Sequence, residues 1–130
     1  MKRLILILSG VILSSHIFSV QLENVTCTVK GAFTVNENGE LQHGGYFPVE
    51  NMTFKVDTSS GNITGLVLDN MKSPLCRHQV LSEGTSNTSF KVFTNCGLGS
   101  PVEYLTIKTF SNNEFLAIAT SQYVLTGSCK

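Results

Sequence analysis

Turn signals punctuate this chain about every ten residues, and no stretch between them keeps a helical period. That rhythm limits the fold more than any other feature. Gly, Asn, Ser and Pro cluster in "NENGE" (36–40), "TSSG" (58–61), "NMKSPLC" (70–76), "GLGSP" (97–101) and "SNNE" (111–114). Between them lie short runs that alternate apolar with polar, the mark of half-buried strands. In "NVTCTVKGAFTV" the odd positions Val25, Cys27, Val29, Phe33 and Val35 are apolar, and Gly31 interrupts them as a bulge or bend would. "MTFKVD" sets Phe54 and Val56 against Thr53, Lys55 and Asp57. "NITGLVLD" reads as its return strand, with Ile63 and Val67 on one face and Leu66 and Leu68 on the other. "RHQVLSEG" reads as a strand, and "LQHGGYFPVEN" as a loop holding one short strand. "SFKVF" alternates again, and "VEYLTIKTF" turns Leu105 and Ile107 inward with Glu103, Thr106 and Lys108 outward. "FLAIATSQYVLTGSC" is one bent strand or two. The expected fold is all-β: an antiparallel meander of about 7–8 strands closing into a small barrel or sandwich.

The first nineteen residues fall outside that rhythm. Lys2 and Arg3 precede an apolar run from Leu4 to Leu13, and Ser14, Ser15 and Ser19 follow. This is the three-part layout of a secretory signal peptide; the run is too short for the roughly 20 apolar residues of a membrane span. Residues 1–19 are therefore expected to be removed. Residues 20–130 form one exported domain, periplasmic or secreted, with no membrane insertion of the mature chain. Lys2 and Arg3 account for two of the nine basic residues, leaving seven against nine acidic ones. A nearly balanced charge offers no long-range pull on a polyanion, which argues against nucleic acid as a partner.

All four cysteines, Cys27, Cys76, Cys96 and Cys129, lie beyond the leader. An even number in a small exported chain predicts two disulfides, with three possible connectivities. If the sheet closes, the first and last strands are neighbours; that favours Cys27–Cys129 as a clasp of the termini, with Cys76–Cys96 as the second bond. No pair has the spacing of a zinc site or a redox C-x-x-C motif.

Nothing in the sequence fills the roles an enzyme needs. His43, in the loop "LQHGGY", and His78, at the start of the strand "RHQVLSEG", are the histidines of the mature chain, and both are expected to face solvent. A Cys76–His78 nucleophile is set aside because an exported Cys76 is expected to be oxidised. No metal or cofactor motif occurs. Sequons begin at Asn24, Asn51, Asn62 and Asn87, and mark surface glycans only in a eukaryotic source. Tyr46, Phe47, Phe93 and Tyr104 are candidates for an apolar binding patch.

The succession "FKVDTSSGNITG", "NTSFKVF", "VEYLTIKTF", "FLAIA" and terminal "TGSCK" resembles small exported bacterial proteins of unassigned function with a terminal TG-x-C element. That resemblance implies the compartment and the β architecture, and carries no site residue. Size, compartment and stapled β architecture are also similar to periplasmic lysozyme inhibitors of the eight-stranded barrel type, an analogy of fold alone. The Trp-containing first-strand element of lipocalins is absent, since the chain has no Trp. The expected function is binding by a non-enzymatic exported domain. The alternative is a small-ligand carrier with its site inside the barrel, and a third reading is an inhibitor of an extracellular or periplasmic hydrolase. A cavity lined by Phe54, Val67, Phe90 and Ile107 would mark the carrier; a filled interior beneath an exposed aromatic patch would mark the interaction protein.

Overall fold

The computed structural model describes residues 23–44, 48–100, 102–119 and 123–130. The leader, its cleavage point and the pair Tyr46-Phe47 lie outside them. The strands are β1 (Asn24–Val35), β2 (Leu41–His43), β3 (Thr53–Asp57), β4 (Asn62–Gly65), β5 (Arg77–Glu83), β6 (Phe90–Asn95), β7 (Val102–Lys108), β8 (Glu114–Ala119) and β9 (Tyr123–Cys129). No helix occurs among the described residues. The sheet runs β4-β3-β1-β9-β8-β7-β6-β5, with β2 added beside β1, and every pairing is antiparallel. Eight strands thus curl into a nearly closed barrel, open only between β4 and β5. The last fifteen residues of the sheet resolve into two strands, β8 and β9, rather than one bent strand.

First and last strands are neighbours, as a closing sheet requires. Thr26 and Lys130 exchange both backbone hydrogen bonds, which makes the adjacent Cys27 and Cys129 a close cross-strand pair of the non-hydrogen-bonded kind. Their disulfide spans 102 residues. Cys76 and Cys96 sit one step beyond the Arg77–Asn95 pair and join β5 to β6 in the same way. Both predicted disulfides are present, and no described cysteine is free. Two cystines fit an oxidising compartment. No helix among the described residues is long and apolar enough to cross a membrane.

Period-two alternation builds the interior as stacked rows. Val80, Val92, Leu105, Ala117, Leu125 and Ala32 follow one another across β5, β6, β7, β8, β9 and β1. In the next row Phe90, Ile107, Phe115, Gly127 and Val29 do the same. Phe115 meets Phe54 edge to face, with ring centroids 5.1 Å apart. Gly127 makes room for that ring. A Cβ there would lie 2.0 Å from the Thr28 carbonyl oxygen and 2.6 Å from the Phe115 ring. Neither the backbone nor the packed ring can retreat. Gly127→Ala is expected to cost about 2–3 kcal/mol by overpacking, read as a lowered urea midpoint at unchanged m; an unchanged midpoint would show that the site relaxes.

Turn chemistry follows the sequence closely. Asn112 and Asn113 both take positive φ (49° and 52°), and Glu114 N–H closes on Ser111 at 3.0 Å, a hairpin turn that matches strand twist. Gly61 (φ 80°) ends the β3–β4 turn. In that turn hydrogen bonding, from Ser59 first and then Ser60, lowers the Asp57 carboxyl to a pKa of about 2.

Three expectations need correction. The register shifts between Val29 and Gly31, so Lys30 is the extra residue of a bulge. Beyond it the phase reverses: Ala32 is buried, Phe33 turns outward and Val35 is 59% exposed. The return strand β4 stops at Gly65, which lies against Phe54. Leu66 therefore points to solvent at 91% exposure while Leu68 is buried, and they do not share a strand face. Glu103 points inward and is 3% exposed, as its shared parity with Leu105 and Ile107 demands. Lys72, from the segment linking β4 to β5, reaches it at 2.7 Å.

That linking segment also covers the open edge of β4. Asn70 is 2% exposed. Its side-chain oxygen accepts the Ile63 N–H at 2.7 Å and its amide donates to the Gly61 carbonyl at 2.8 Å. Its own N–H donates to the Ile63 carbonyl at 3.1 Å. One asparagine thus occupies edge groups that a neighbouring strand would otherwise take.

Candidate functional site

Outward positions of the sheet form a continuous apolar row. Phe93 on β6 faces Tyr104 on β7, which faces Ile118 on β8, then Val124 on β9, then Phe33 on β1, then His43 on β2. Five strand spacings make this row on the order of 24 Å long, measured around the curved sheet. It ends in a ring contact: Phe33 meets His43 edge to face, with centroids 5.1 Å apart. Leu116 (40% exposed) broadens the row on one side, and Val35 and Leu41 (59% and 62%) broaden it on the other near β2. Lys91, Thr106 and Thr126 border it, so charge stays at the margin.

Of the four patch candidates, Phe93 and Tyr104 are direct cross-strand partners, both half-buried on the outer face. Tyr46 and Phe47 lie outside the described residues. Phe33, Ile118 and Val124 join the row without having been singled out by sequence. Phe33 is hidden by the bulge at Lys30, and Ile118 and Val124 are visible only once the register across β7, β8 and β9 is known.

The interior offers no matching space at the residues that would line a carrier. Phe54, Phe90 and Ile107 are at most 1% exposed and belong to one packed cluster, with Val67 against it. A cleft of about 360 Å³ lies instead on the outside, beside Leu116, with Lys30, Lys108 and Glu114 on its walls.

The two histidines stand on separate elements. His43 lies in β2, 3.2 Å from Glu50. His78 lies near the start of β5, as expected, but is half-buried rather than exposed; its Nε2 is 3.1 Å from the Ser60 carbonyl oxygen, across the barrel opening. Cys76 is bonded to Cys96 and holds no thiol near His78. Among the described residues no three His, Cys, Asp or Glu side chains gather as metal ligands. The sequon residues Asn24, Asn51 and Asn87 are exposed, and Asn62 is half-buried.

Comparison with protein-family models, with curated proteins and with solved structures finds no match to this chain.

Proposed function

We propose that this protein is an exported, non-enzymatic β-domain, periplasmic or secreted, that acts by binding a protein partner on its outer surface. The observation that carries the reading is the Phe93–Tyr104 row lying over an interior that is already filled. Aromatic side chains on a rigid sheet lose little freedom when covered, and they contribute disproportionately to binding. The small-ligand carrier is the weaker alternative, because Phe54, Phe90 and Ile107 fill the space a ligand would need. Inhibition of an extracellular hydrolase is one form the binding could take.

The test uses Phe93→Ser with Tyr104→Ser. Both side chains face outward, so far-UV circular dichroism should match the parent. The immobilised double variant should retain its partner from the exported fraction of producing cells at least tenfold less well than the parent. Equal retention by a folded double variant would remove the outer row from the function.

A further inference from the structure

Charge is unevenly placed on the outer face of the sheet. One same-face step from the apolar row lie Lys91, Thr106, Leu116 and Thr126, in register across β6, β7, β8 and β9. The bulge sets Lys30 at the β1 end of that line, next to Gly31, the partner of Thr126. One step further along β7, Lys108 faces Glu114 on β8. Lys30, Lys108, Glu114, Leu116 and Thr126 line one cleft of about 360 Å³, so these side chains are neighbours. Lys30, Lys91 and Lys108 are all exposed. The ion pairs among the described residues are His43–Glu50 and Lys72–Glu103, so none of the three lysines is held by a carboxylate. Glu114 is the one acidic residue in these two lines, whereas Glu37 and Glu40 lie beyond the apolar row, in the β1–β2 turn. A chain with more acidic than basic residues in its exported part thus carries a basic strip, and that strip borders its apolar row.

We infer that the protein partner of the outer row presents an acidic flank, with carboxylates that meet Lys30, Lys91 and Lys108 beside its apolar contact. The inference rests on the proposed function and adds to it the charge of the partner. An apolar centre with a charged rim is the common build of a protein interface. Rim charges of this kind set the approach rate and the register of docking more than the final affinity. Glu114 decides between an acidic protein and a uniform polyanion. It stands exposed among the lysines, on the wall of the same cleft. A nucleic acid strand, a sulfated polysaccharide or an anionic bilayer would bring like charge against it. A protein surface can set single carboxylates opposite the lysines and leave a neutral or basic group for Glu114. The adjoining Ile118 and Val124 also need an apolar counterpart, which a protein surface supplies.

The test adds the intact protein to the exported fraction of producing cells and treats the mixture with a carbodiimide. That reagent joins lysine amines to carboxylates in direct contact, and peptide mapping locates the links. Lys55, exposed on β3 and outside the strip, serves as the background. Links from Lys30, Lys91 or Lys108 to Asp or Glu of one protein, at least tenfold above those from Lys55, support the inference. A second measurement immobilises Lys30→Glu with Lys108→Glu, exposed changes that should leave far-UV circular dichroism as in the parent. Retention of the same protein should fall at least tenfold, and should also fall for the parent at about 0.5 M salt. Links no more frequent than at Lys55, or retention unchanged by the charge reversal, overturn the inference. Binding of the purified parent to single-stranded DNA, a heparin oligosaccharide or phosphatidylglycerol vesicles at about 0.15 M salt, lost on the same charge reversal, overturns it in favour of a polyanion. Retention lost in Phe93→Ser with Tyr104→Ser but kept after charge reversal overturns the acidic flank and leaves the proposed function standing. Retention lost in neither variant, or no retained protein at all, overturns both.

Discussion

Replacing Cys129 with Ser is expected to destabilise the domain by about 2–5 kcal/mol and to make it self-associate. The Cys27–Cys129 bond closes 102 residues, nearly the whole described sheet. Its effect lies on the unfolded chain, where loop-closure entropy for about 100 residues gives a ceiling near 4.7 kcal/mol. It also holds β1 against β9, the internal seam that joins the β4-β3-β1 part of the sheet to the part running from β9 to β5. A loosened seam presents two unpaired edges to other chains. Urea melts at several protein concentrations separate the two effects: the midpoint falls at all of them, and aggregation rises with concentration. A midpoint within a few tenths of a molar of the parent would show that the seam does not depend on the bond. Cys96→Ser should cost less, since that bond spans only 20 residues.

The second large effect concerns the pair Lys72 and Glu103. Glu103 Oε1 is 2.7 Å from the Lys72 ammonium, and Oε2 is buried without a hydrogen-bond partner. Lys72→Met removes the only described partner of a carboxylate that is 3% exposed. Losing one partner of a buried pair costs roughly 3–5 kcal/mol, and the low end applies because the Lys72 side chain is 43% exposed. Adding Glu103→Leu to Lys72→Met should restore most of the loss, since the uncompensated charge leaves with the carboxylate. Chemical denaturation of both single variants and the double variant measures this. Additive losses would mean that Lys72 and Glu103 stabilise the fold independently.

Which parts of this were legible in the sequence follows from where the information sits. Parity along one strand is local, so the buried faces of β3 and β6 could be assigned from "TFKVD" and "FKVFTN". Parity with Leu105 and Ile107 puts Glu103 inward while its charge argues for solvent, and the cation that makes burial tolerable lies 31 residues earlier. At Gly31 a bulge was expected, yet a bulge does not say on which face the strand resumes. Simple alternation therefore puts Phe33 and Val35 on the core side, whereas both face out. The end of β4 at Gly65 depends on contact with Phe54, and the cap on its edge depends on Asn70 folding back, neither of which a period can express. The disulfides were legible for a topological reason: closing a sheet makes its ends neighbours, whatever the path between. The outer row was not, because it is a property of register across six strands. Phe93 and Tyr104 could be picked singly, but only strand pairing shows that Ile118, Val124 and Phe33 continue them.

The central claim is that the working surface lies outside a filled barrel. Methyl-labelled protein, observed by NMR while the exported fraction of producing cells is titrated in, tests it most directly. Shifts or broadening are predicted at the outward methyls of Leu116, Ile118 and Val124, with those of Val92, Leu105 and Ile107 unmoved. Perturbation of the interior methyls, with the outer row silent, would contradict the account and move the site into the barrel.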